Sequence, residues 1–366
     1  MINIRFYLKK YFKIFFYKIF SLIYGKVSYL KNNVNKDQLA ITKVKRERKG
    51  INYKIFQIKN SRLYTDRIQD TAIIVNNNLI RNASFQLRNN LNSDIKKNIV
   101  LKIGTPRILK KLNGNVLSLL TGGGGNNNYF HWMFDVLPRI GIIEKKINLS
   151  NIDYFLCPNL NDWQIRTLQL LGLNENKYLS SVNFRHISAD NIIVTSHPWL
   201  HTKNIISNIE NLPFWISKWL KKKFLKKKSK KSFPKKIYID RGDSVSNLKD
   251  YRKIINEEEV VALLKKKGFE SIQLSHLKFE EEIKLFNDAQ AIVGLQGAGL
   301  TNLLWCNKDS MVIELRSKLT NKLYQNLAIQ NKIKFRKIES KVIDRIIISK
   351  HYGSIKINIK ALEKFI

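Results

Sequence analysis

The sequence has few cysteines, few histidines and few acidic residues for its length. Two cysteines, Cys157 and Cys306, lie far apart among 366 residues. This excludes a disulfide framework and a cysteine-rich zinc site, and it is typical of a reducing compartment. The six histidines form no HExxH pair, so no catalytic metal site is expected. No GxxxxGK[ST] or GxGxxG pattern occurs, which excludes a P-loop ATPase and does not favour an NAD-binding domain.

Charge is strongly one-sided, with 66 basic against 28 acidic side chains and a net charge of +38. One interpretation is an anionic partner, which would be nucleic acid, an acidic lipid surface or a phosphorylated substrate. The other is compositional drift, because lysine, asparagine and isoleucine are all over-used. A hydrophobic fraction of 44% supplies a packed core, and the length allows two domains.

Residues 1–35 mix aromatic and aliphatic side chains with basic ones. No uncharged run approaches the roughly 20 residues that span a bilayer, and a signal peptide is not expected. The pattern favours a basic amphipathic helix that lies in a membrane interface, and a helix packed on the protein is the alternative. Residues 36–50 are polar and are interpreted as a linker.

Residues 51–213 are predicted to form an α/β domain on the acceptor side. Short apolar runs over 51–120 indicate several strands, some of them antiparallel. Further strands are expected at 115–120, 153–157 and 191–195, with a helix at 162–171. Their βαβαβ order predicts a parallel sheet.

A glycine loop at 122–125 precedes the segment YFHWMFDVLPRI, which is predicted to be a helix capped by Asn128 and kinked or ended at Pro138. His131 and Asp135 are four residues apart and therefore share one helix face. A carboxylate in that place can hold an imidazole in one tautomer, as a general base requires. The alternative is a helix that packs through its apolar residues, with Asp135 favourable for the helix dipole.

The lysine-rich segment 214–235 is interpreted as the boundary between two domains. It remains open whether this segment is a solvated helix and linker, a second contact with acidic membrane, or a nucleic-acid contact. Strands at 235–240, 271–274, 291–293 and 311–315 alternate with helices. This order predicts a Rossmann-like domain over 236–345, followed by a C-terminal tail at 346–366.

The stretch AIVGLQGAGLTNLLWCNKDSMVIEL at 291–315 places Gly294, Gly297 and Gly299 between a strand and a short helix. Such glycines let the backbone approach a ligand and aim its N–H groups at it. A tight structural turn has the same pattern, so the glycines alone do not decide between the two interpretations.

Two arginines and a glutamate extend the ligand interpretation. Arg241 and Arg252 could clamp a diphosphate, because guanidinium groups make bidentate hydrogen bonds to phosphate oxygens. Glu314 is expected at the carboxyl end of a parallel strand, where a carboxylate suits the hydroxyls of a ribose. Together these residues predict a nucleotide diphosphate site in the second domain.

Two motifs in combination, HWMFDVLPR at 131–139 and GAGLTN at 297–302, make the chain resemble glycosyltransferase family 61. Bacterial members of that family include capsular polysaccharide biosynthesis proteins. Further matching pieces lie at 238–241, at Arg252 with 256–257, and at 312–315, and the resemblance covers roughly 115–316. It implies a GT-B-like fold, in which two Rossmann-type domains face each other across a crevice. It also implies inverting transfer from a nucleotide sugar without a metal or another cofactor.

The resemblance also implies which residues form the site. His131 is the expected catalytic base, and Asp135 orients it. The expected donor-binding residues are Arg241, Ser244, Arg252, Gln296, Gly297, Ala298, Gly299, Leu300, Thr301, Asn302 and Glu314. Gln296 departs from the family, which usually has histidine there. A neutral amide can donate a hydrogen bond to phosphate, but it cannot act as a cation or shuttle a proton.

The expected function is therefore that of a glycosyltransferase of the EC 2.4 class. It would move a sugar from a nucleotide-sugar donor to a hydroxyl of a glycan or lipid-linked acceptor in capsule or lipopolysaccharide biosynthesis. The expected partners are donor, acceptor and an acidic membrane surface, but not nucleic acid, and the expected location is cytoplasmic, at the inner face of the cell membrane. The alternatives are a non-catalytic basic protein that binds acidic membrane or nucleic acid, and a degenerate transferase that only binds nucleotide.

Overall fold

Two sheets organise the chain, one in each of the compact units Met1–Ile205 and Ile206–Ile366. The computed structural model describes residues 4–29, 37–47, 50–65, 70–86, 95–120, 128–202, 204–242, 252–343 and 353–366. The predicted glycine loop at 122–125 and Ser244 lie outside the described residues, so the predictions about them stay predictions.

The secondary structure follows the predicted alternation of strands and helices. The strands are β1 (Leu39–Lys45), β2 (Asn52–Thr65), β3 (Asp70–Val75), β4 (Asn78–Leu79), β5 (Phe85–Gln86), β6 (Lys110–Lys111), β7 (Asn115–Ser118), β8 (Tyr154–Cys157), β9 (Tyr178–Ser180), β10 (His186–Thr195), β11 (Lys236–Asp240), β12 (Glu270–Gln273), β13 (Ala291–Leu295), β14 (Met311–Ser317) and β15 (Lys334–Ser340). The α-helices are α1 (Ile4–Tyr24), α2 (Val100–Ile103), α3 (Tyr129–His131), α4 (Leu137–Ile143), α5 (Asp162–Leu170), α6 (Ile205–Glu210), α7 (Phe214–Phe224), α8 (Glu257–Lys266), α9 (Phe279–Asp288), α10 (Leu323–Gln330) and α11 (Ile359–Glu363). Trp132–Val136 is π-helical and Ala298–Trp305 is a 3₁₀-helix.

The sheet of the first unit is mixed, with the strand order β4-β3-β2-β10-β7-β8-β9. Strands β10, β7, β8 and β9 are parallel, whereas β1, β2, β3 and β4 pair in antiparallel fashion. Both the predicted parallel strands and the predicted antiparallel ones are therefore confirmed. The sheet changes direction of winding between β7 and β10, because β8 and β9 continue on one side of β7 and β10 lies on the other. In open α/β sheets such a switch point opens a crevice at the carboxyl ends of the strands.

The predicted linker at 36–50 is wrong at its centre. Residues 39–45 form β1, which pairs with β2 from Leu39 opposite Ile58 to Lys45 opposite Asn52. Val44 is buried, while Lys43 and Lys45 point outward. Because lysines occupy outward positions of this strand, its alternation of apolar and polar residues is hard to recognise in the sequence. Lysines on an edge strand also protect it against pairing with other chains.

Helix α1 ends at Gly25, which adopts a positive φ of 79°. Its last residue, Tyr24, is tied to the first sheet: the Tyr24 carbonyl accepts a hydrogen bond from Arg62 Nη2 (3.2 Å), and its hydroxyl accepts one from the Leu109 N–H (3.0 Å). Farther back, Tyr11, Phe12, Phe15, Phe16, Leu22 and Ile23 are all exposed. Within the described residues no helix combines the length and hydropathy that a membrane span requires.

The sheet of the second unit is entirely parallel, in the order β12-β11-β13-β14-β15. Numbered along this unit, the order is 2-1-3-4-5, so its switch point lies between β11 and β13. Tyr238, Val293 and Ile313 on three neighbouring strands pack against Val260 and Leu264 of α8. The predicted parallel α/β domain is confirmed here.

Two predictions about the borders of the second domain are wrong. The segment at 214–235 is not purely a link between domains, because α7 buries Trp215, Trp219 and Phe224 within the second unit. The Phe224 ring lies 5.2 Å from that of Phe279 in α9. The spacing of these aromatics forms a helical apolar stripe, which the surrounding lysines obscure in composition.

The described part of the predicted C-terminal tail belongs to the same core. Ile355, Ile357 and Leu362 are buried against α8 and its neighbours. The Asn256 side chain donates to the Ile357 carbonyl (3.0 Å) and accepts from the Ile357 N–H (2.9 Å). Two apolar residues separated by one polar residue give too short a pattern for a strand or helix to be recognised from sequence.

Candidate active site

The helix that carries His131 contains a π-helical turn. The Asn128 side chain caps its start by accepting a hydrogen bond from the His131 N–H (3.2 Å). The Leu137 N–H bonds to the Trp132 carbonyl, five residues back, and α4 then continues to Ile143. The prediction that the helix ends at Pro138 is therefore wrong, and the alternative that it kinks there stays a prediction. Pro138 lies in the first turn of α4, where its missing N–H costs no regular helical hydrogen bond.

The predicted pairing of His131 with Asp135 is confirmed. His131 Nδ1 lies 2.8 Å from Asp135 Oδ2. The carboxylate is buried, whereas the imidazole side chain keeps 29% of its surface exposed. Because an ionised carboxylate can only accept, Nδ1 carries the proton and Nε2 carries the lone pair. The geometry is that of an oriented base, while the catalytic role of the pair stays a prediction.

The charges of the pair reinforce each other. Burial acts against a charge on His131, but the charge of Asp135 and its hydrogen bond raise the pKa of the imidazole. Burial alone would raise the pKa of Asp135, but His131 and then His197 hold it below its usual range. Asp135 is thus ionised, and His131 is a stronger base than a free imidazole.

Sequence reasoning missed two further side chains at Asp135. Trp199 Nε1 donates a hydrogen bond to Asp135 Oδ1, and His197 Nε2 lies 3.7 Å from Asp135 Oδ2. Both residues follow β10, while His131 and Asp135 follow β7. They meet because β7 and β10 are neighbouring parallel strands at the switch point. No motif marks the sequence HPWL, and only the order of strands in the sheet could have linked the two segments.

Arg139, the last residue of the HWMFDVLPR motif, is buried and joins the same network through hydrogen bonds to backbone carbonyls. Its Nε donates to the Asp135 carbonyl (3.0 Å) and its Nη1 to the Thr195 carbonyl (3.3 Å). Burial lowers the pKa of Arg139 to about 10, against the effect of Asp135. Its Nη2 is buried and has no hydrogen-bond partner among the described residues. Arg139 thereby fastens α4 to the end of β10.

In the second unit, two arginines stand beside Gly297. Arg241 directly follows β11, and Gly297 follows β13, so both lie at the switch point of this sheet. A β-carbon placed on Gly297 would be 3.7 Å from Nη1 of both Arg241 and Arg252. Arg252 Nη1 donates to the Gln296 carbonyl (2.8 Å). The predicted meeting of the arginines with the glycine loop is confirmed.

Arg241 has capacity for another partner. Its Nη1 is buried and makes no hydrogen bond within the part of the chain that the structure describes. Burial and, next, the neighbouring Arg252 lower the pKa of Arg241. Two like charges in contact are unfavourable unless an anion joins them. This corner of the sheet therefore has the chemistry of an anion site.

The three glycines of the loop differ in purpose. A β-carbon on Gly294 would lie 3.1 Å from Ile239 Cδ1, and one on Gly299 would lie 3.1 Å from Leu274 Cδ1. A side chain at either position would require its neighbour to shift by a few tenths of an ångström, so the two glycines allow close packing. Gly294 lies within β13 and Gly299 in the 3₁₀-helix, rather than in the loop between them. Gly297 alone faces the arginines, with ordinary van der Waals room around it. The structural and ligand interpretations both hold, each for different glycines.

Other predicted donor residues separate into two groups. Gly297, Ala298 and Gly299 keep partial exposure, and Gln296 is nearly buried. Leu300 and Thr301 are fully buried. Asn302 is also fully buried: its amide donates to Glu282 Oε2 (2.9 Å) and its carbonyl oxygen accepts from the Trp305 indole (3.0 Å). Asn302 thus joins the 3₁₀-helix to α9, and its role as a donor contact stays a prediction.

Glu314 is not at the end of its strand, because β14 continues to Ser317. Its carboxylate is fully buried, and its Oε2 accepts a hydrogen bond from Arg316 Nη1 (3.0 Å). Its Oε1 has no partner among the described residues, and burial raises the pKa of Glu314 to about 7. The carboxylate presents no surface to a ribose in this arrangement. No motif indicated the pairing, since Arg316 lies outside all of them.

Among the described residues, no group of three His, Cys, Asp or Glu side chains is arranged so that it could hold a metal ion. Cys157 and Cys306 are both buried, and burial raises the pKa of each thiol. The polar chemistry thus resides in two clusters, one around Asp135 and one around Gly297.

Comparison with known proteins agrees with the motifs. Residues 129–313, about half of the chain, match the family described as Glycosyltransferase 61. The chain is also similar to EGF domain-specific O-linked N-acetylglucosamine transferases: 32% identical over 84 residues to that of Gallus gallus, and 27% over 94 residues to that of Drosophila melanogaster. These segments cover 22% and 25% of this chain, but only 16% and 18% of the relatives. The family match takes in both clusters, and the chain belongs to glycosyltransferase family 61.

Proposed function

We propose that this chain transfers a sugar, with inversion, from a nucleotide-sugar donor to a hydroxyl of an acceptor. The observation that carries the proposal is the pair of arginines at Gly297. Arg241 Nη1 is buried and has capacity for a partner among the described residues, and Arg252 stands beside it. A diphosphate would neutralise both guanidinium groups and accept bidentate hydrogen bonds from them.

In the proposed reaction the acceptor oxygen attacks the anomeric carbon from the side opposite the diphosphate. His131 Nε2 takes the hydroxyl proton as the new C–O bond forms. The bond between the sugar and the diphosphate breaks, and the leaving group carries its electron pair onto phosphate oxygens held by Arg241 and Arg252. General-base help of this kind contributes about 10²- to 10⁴-fold to the rate. Preorganised donors at the leaving group stabilise the developing charge.

The scheme requires the GT-B-like fold expected of the family. It assigns no step to a metal ion, because the two arginines provide the positive charge that the leaving diphosphate needs. Addition of a chelator such as EDTA should therefore leave turnover unchanged. A loss of activity that Mg²⁺ or Mn²⁺ restores would contradict this part of the proposal.

Gln296 replaces the histidine usual in the family. The Gln296 backbone carbonyl accepts a hydrogen bond from Arg252 Nη1. In our proposal the positive charge that contacts the diphosphate comes from Arg241 and Arg252, and not from the side chain at position 296. Glu314 is proposed to act indirectly, by holding Arg316, since its carboxylate is fully buried.

The choice of sugar and acceptor is narrowed by the relatives and by α1. The relatives' name describes O-linked transfer of N-acetylglucosamine, so N-acetylglucosamine nucleotides are the first donors to test. We propose an acceptor that is a glycan or lipid-linked glycan of bacterial capsule or lipopolysaccharide, at the inner face of the cell membrane. Support comes from the exposed aromatic residues of α1 and from the absence of acidic residues in 1–36.

The membrane part has its own test. Each basic residue near an acidic surface contributes on the order of 1 kcal/mol, and apolar side chains add to it. The protein should sediment with vesicles that contain phosphatidylglycerol, and less so with neutral vesicles. The double variant Phe12→Ser, Phe15→Ser should weaken sedimentation without altering the thermal unfolding of the protein. Equal sedimentation of the variant would remove α1 as the contact.

One screen separates the proposed enzyme from its alternatives. Thermal unfolding is measured against UDP-, GDP-, CMP- and dTDP-sugars, with heparin as a polyanion control. Saturable stabilisation by one nucleotide class, followed by release of nucleoside diphosphate when acceptor is added, is expected for the transferase. Stabilisation without release indicates a degenerate transferase, and a response to heparin alone indicates a polyanion-binding protein.

A further inference from the structure

The Asp135 carboxylate is held on more sides than its pairing with His131 requires. Its Oδ2 faces His131 Nδ1 at 2.8 Å and His197 Nε2 at 3.7 Å, and its Oδ1 accepts from the Trp199 indole. A carboxylate turns easily about its last bond, so one hydrogen bond leaves its plane free. Three contacts from two different chain segments fix that plane.

The hydrogen bonds around His197 define which of its nitrogens carries the proton. The Leu200 N–H donates to His197 Nδ1 at 3.0 Å, so Nδ1 is an acceptor. A neutral imidazole with an accepting Nδ1 has its proton on Nε2, which is the nitrogen that faces Asp135. Burial lowers the pKa of His197, which keeps the ring neutral. His197 therefore turns its Nε2–H toward Asp135 Oδ2, 3.7 Å away, and does not compete with His131 as a second cation.

Trp199 is itself rigid. It is buried, and its ring packs edge-on against His197 with centroids 4.8 Å apart. The two rings thus form one unit that follows the end of β10. The charged groups around this unit are Asp135 and His131, together with Arg139, whose Nη1 bonds to Thr195 at the end of the same strand.

We propose that Trp199 and His197 are positioning residues, which fix the Asp135 carboxylate so that the His131 Nε2 lone pair points at the acceptor hydroxyl. The inference rests on the proposed function in one respect, namely that His131 is the base. It assigns a role to a segment after β10 that carries no recognised motif.

The variant Trp199→Phe in the full chain tests the proposal, because it removes the indole N–H and keeps an aromatic ring. Hydrogen bonds to charged groups have energies that correspond to about 10- to 100-fold in rate, and a loss of that size is expected in kcat with KM for the donor unchanged. Without the indole donor, more negative charge remains for His131. The acid limb of the pH profile of kcat/KM should therefore move to higher pH.

Nuclear magnetic resonance gives a readout that needs no turnover. The chain has six histidines, so the imidazole signals of His131 can be assigned with the variant His131→Asn. In Trp199→Phe the His131 signals should titrate at higher pH than in the unmodified chain. The matched control is Trp132→Phe, which removes an equally buried indole hydrogen bond, to Thr167 Oγ1 at 2.9 Å, one residue from His131. In that control the His131 titration should not move.

A second pair of variants covers a failure of Trp199→Phe to fold. His197→Gln retains an amide donor near the position of Nε2, whereas His197→Leu removes it. Gln should restore most of the kcat that Leu loses. The proposal is overturned if the His131 titration is the same in Trp199→Phe as in the unmodified chain, or if Gln and Leu behave alike. Turnover retained in His131→Ala would instead overturn the base assignment, and the titration would still report on positioning.

Discussion

The two clusters of this protein are built at equivalent places but in opposite ways. Each lies at the switch point of a parallel sheet, the first after β7 and β10 and the second after β11 and β13. At the first, a single carboxylate is surrounded by donors: His131, Trp199 and His197 all face Asp135. At the second, two cations stand together, and Arg241 Nη1 has no hydrogen bond among the described residues.

The difference indicates what each cluster is suited to do. A carboxylate whose oxygens are engaged orients the group that it pairs with, and that group, His131, keeps part of its surface exposed. A pair of cations with donor capacity left over is suited to receive an anion that arrives from outside. The Asp135 carboxylate is satisfied within the chain, although Nη2 of the adjoining Arg139 has no hydrogen-bond partner among the described residues. In the proposed function an anion completes the second cluster.

The strongest test of this contrast removes the base. His131→Ala should lower kcat by about 10²- to 10⁴-fold, because no base then takes the proton from the hydroxyl of the sugar acceptor. Activity in the unmodified chain requires neutral His131, whose pKa is raised by Asp135, so kcat/KM should rise with pH through a value above the ordinary 6.5 of imidazole. A rate assay over pH 5 to 9 measures both. Turnover in His131→Ala close to that of the unmodified chain would refute the assignment.

The next test compares an arginine that has capacity for a ligand with Arg316, which is paired to a buried carboxylate inside the protein. Arg241→Met should weaken nucleoside diphosphate binding by about 10- to 100-fold and leave the free energy of unfolding nearly unchanged, because its Nη1 has no hydrogen bond within the described residues. Arg316→Met should instead lower the free energy of unfolding by about 3–5 kcal/mol, because it leaves Glu314 buried without its partner. Urea unfolding with and without nucleotide separates the two effects. Equal destabilisation by both substitutions would contradict the contrast.

A smaller effect is expected from the buried carboxyl of Glu314. Its pKa of about 7 in the folded protein exceeds the ordinary 4.5, so the folded state binds more protons than the unfolded state between these values. The free energy of unfolding should therefore lose a contribution as pH rises from about 4.5 to 7 and stay level in this respect above 7. Glu314→Gln, which is neutral at every pH, should remove that slope. Parallel stability curves for the two proteins would show that Glu314 is ionised throughout.

The smallest expected effect concerns Gln296. Gln296→His places a group that can become charged beside Arg252 and the glycine loop. Binding of nucleoside diphosphate should tighten by about two- to threefold below pH 6.5, where imidazole is a cation, and should be unaltered at pH 8. Titration calorimetry at the two pH values measures the difference. Tightening at pH 8 as strong as at pH 6 would show that the effect is not one of charge.

Local patterns allowed much of the fold to be predicted, together with the His131–Asp135 pair of the first cluster and the arginines and Gly297 of the second. The pairing of His131 with Asp135 follows from a spacing of four residues on one helix, and the arginines and Gly297 follow from strand ends that the apolar runs reveal. These inferences need only the elements nearest in sequence.

The predictions that failed depend on neighbours distant in sequence. Trp199 and His197 reach Asp135 because β10 pairs with β7, and no sequence pattern reports that pairing. Glu314 is buried because β14 runs on to Ser317 and brings Arg316 onto its face. Strand β1 was hidden because lysines occupy its outward positions. Composition describes the surface of an element well, but it does not say against what the inner face packs.

The contrast between the clusters is tested most directly by calorimetric titration of nucleoside diphosphate into the unmodified chain, His131→Ala and Arg241→Met. If the second cluster alone receives the anion, His131→Ala binds as tightly as the unmodified chain, and Arg241→Met binds about 10- to 100-fold more weakly. If His131→Ala weakens binding as much as Arg241→Met does, the division of roles between the two clusters is wrong.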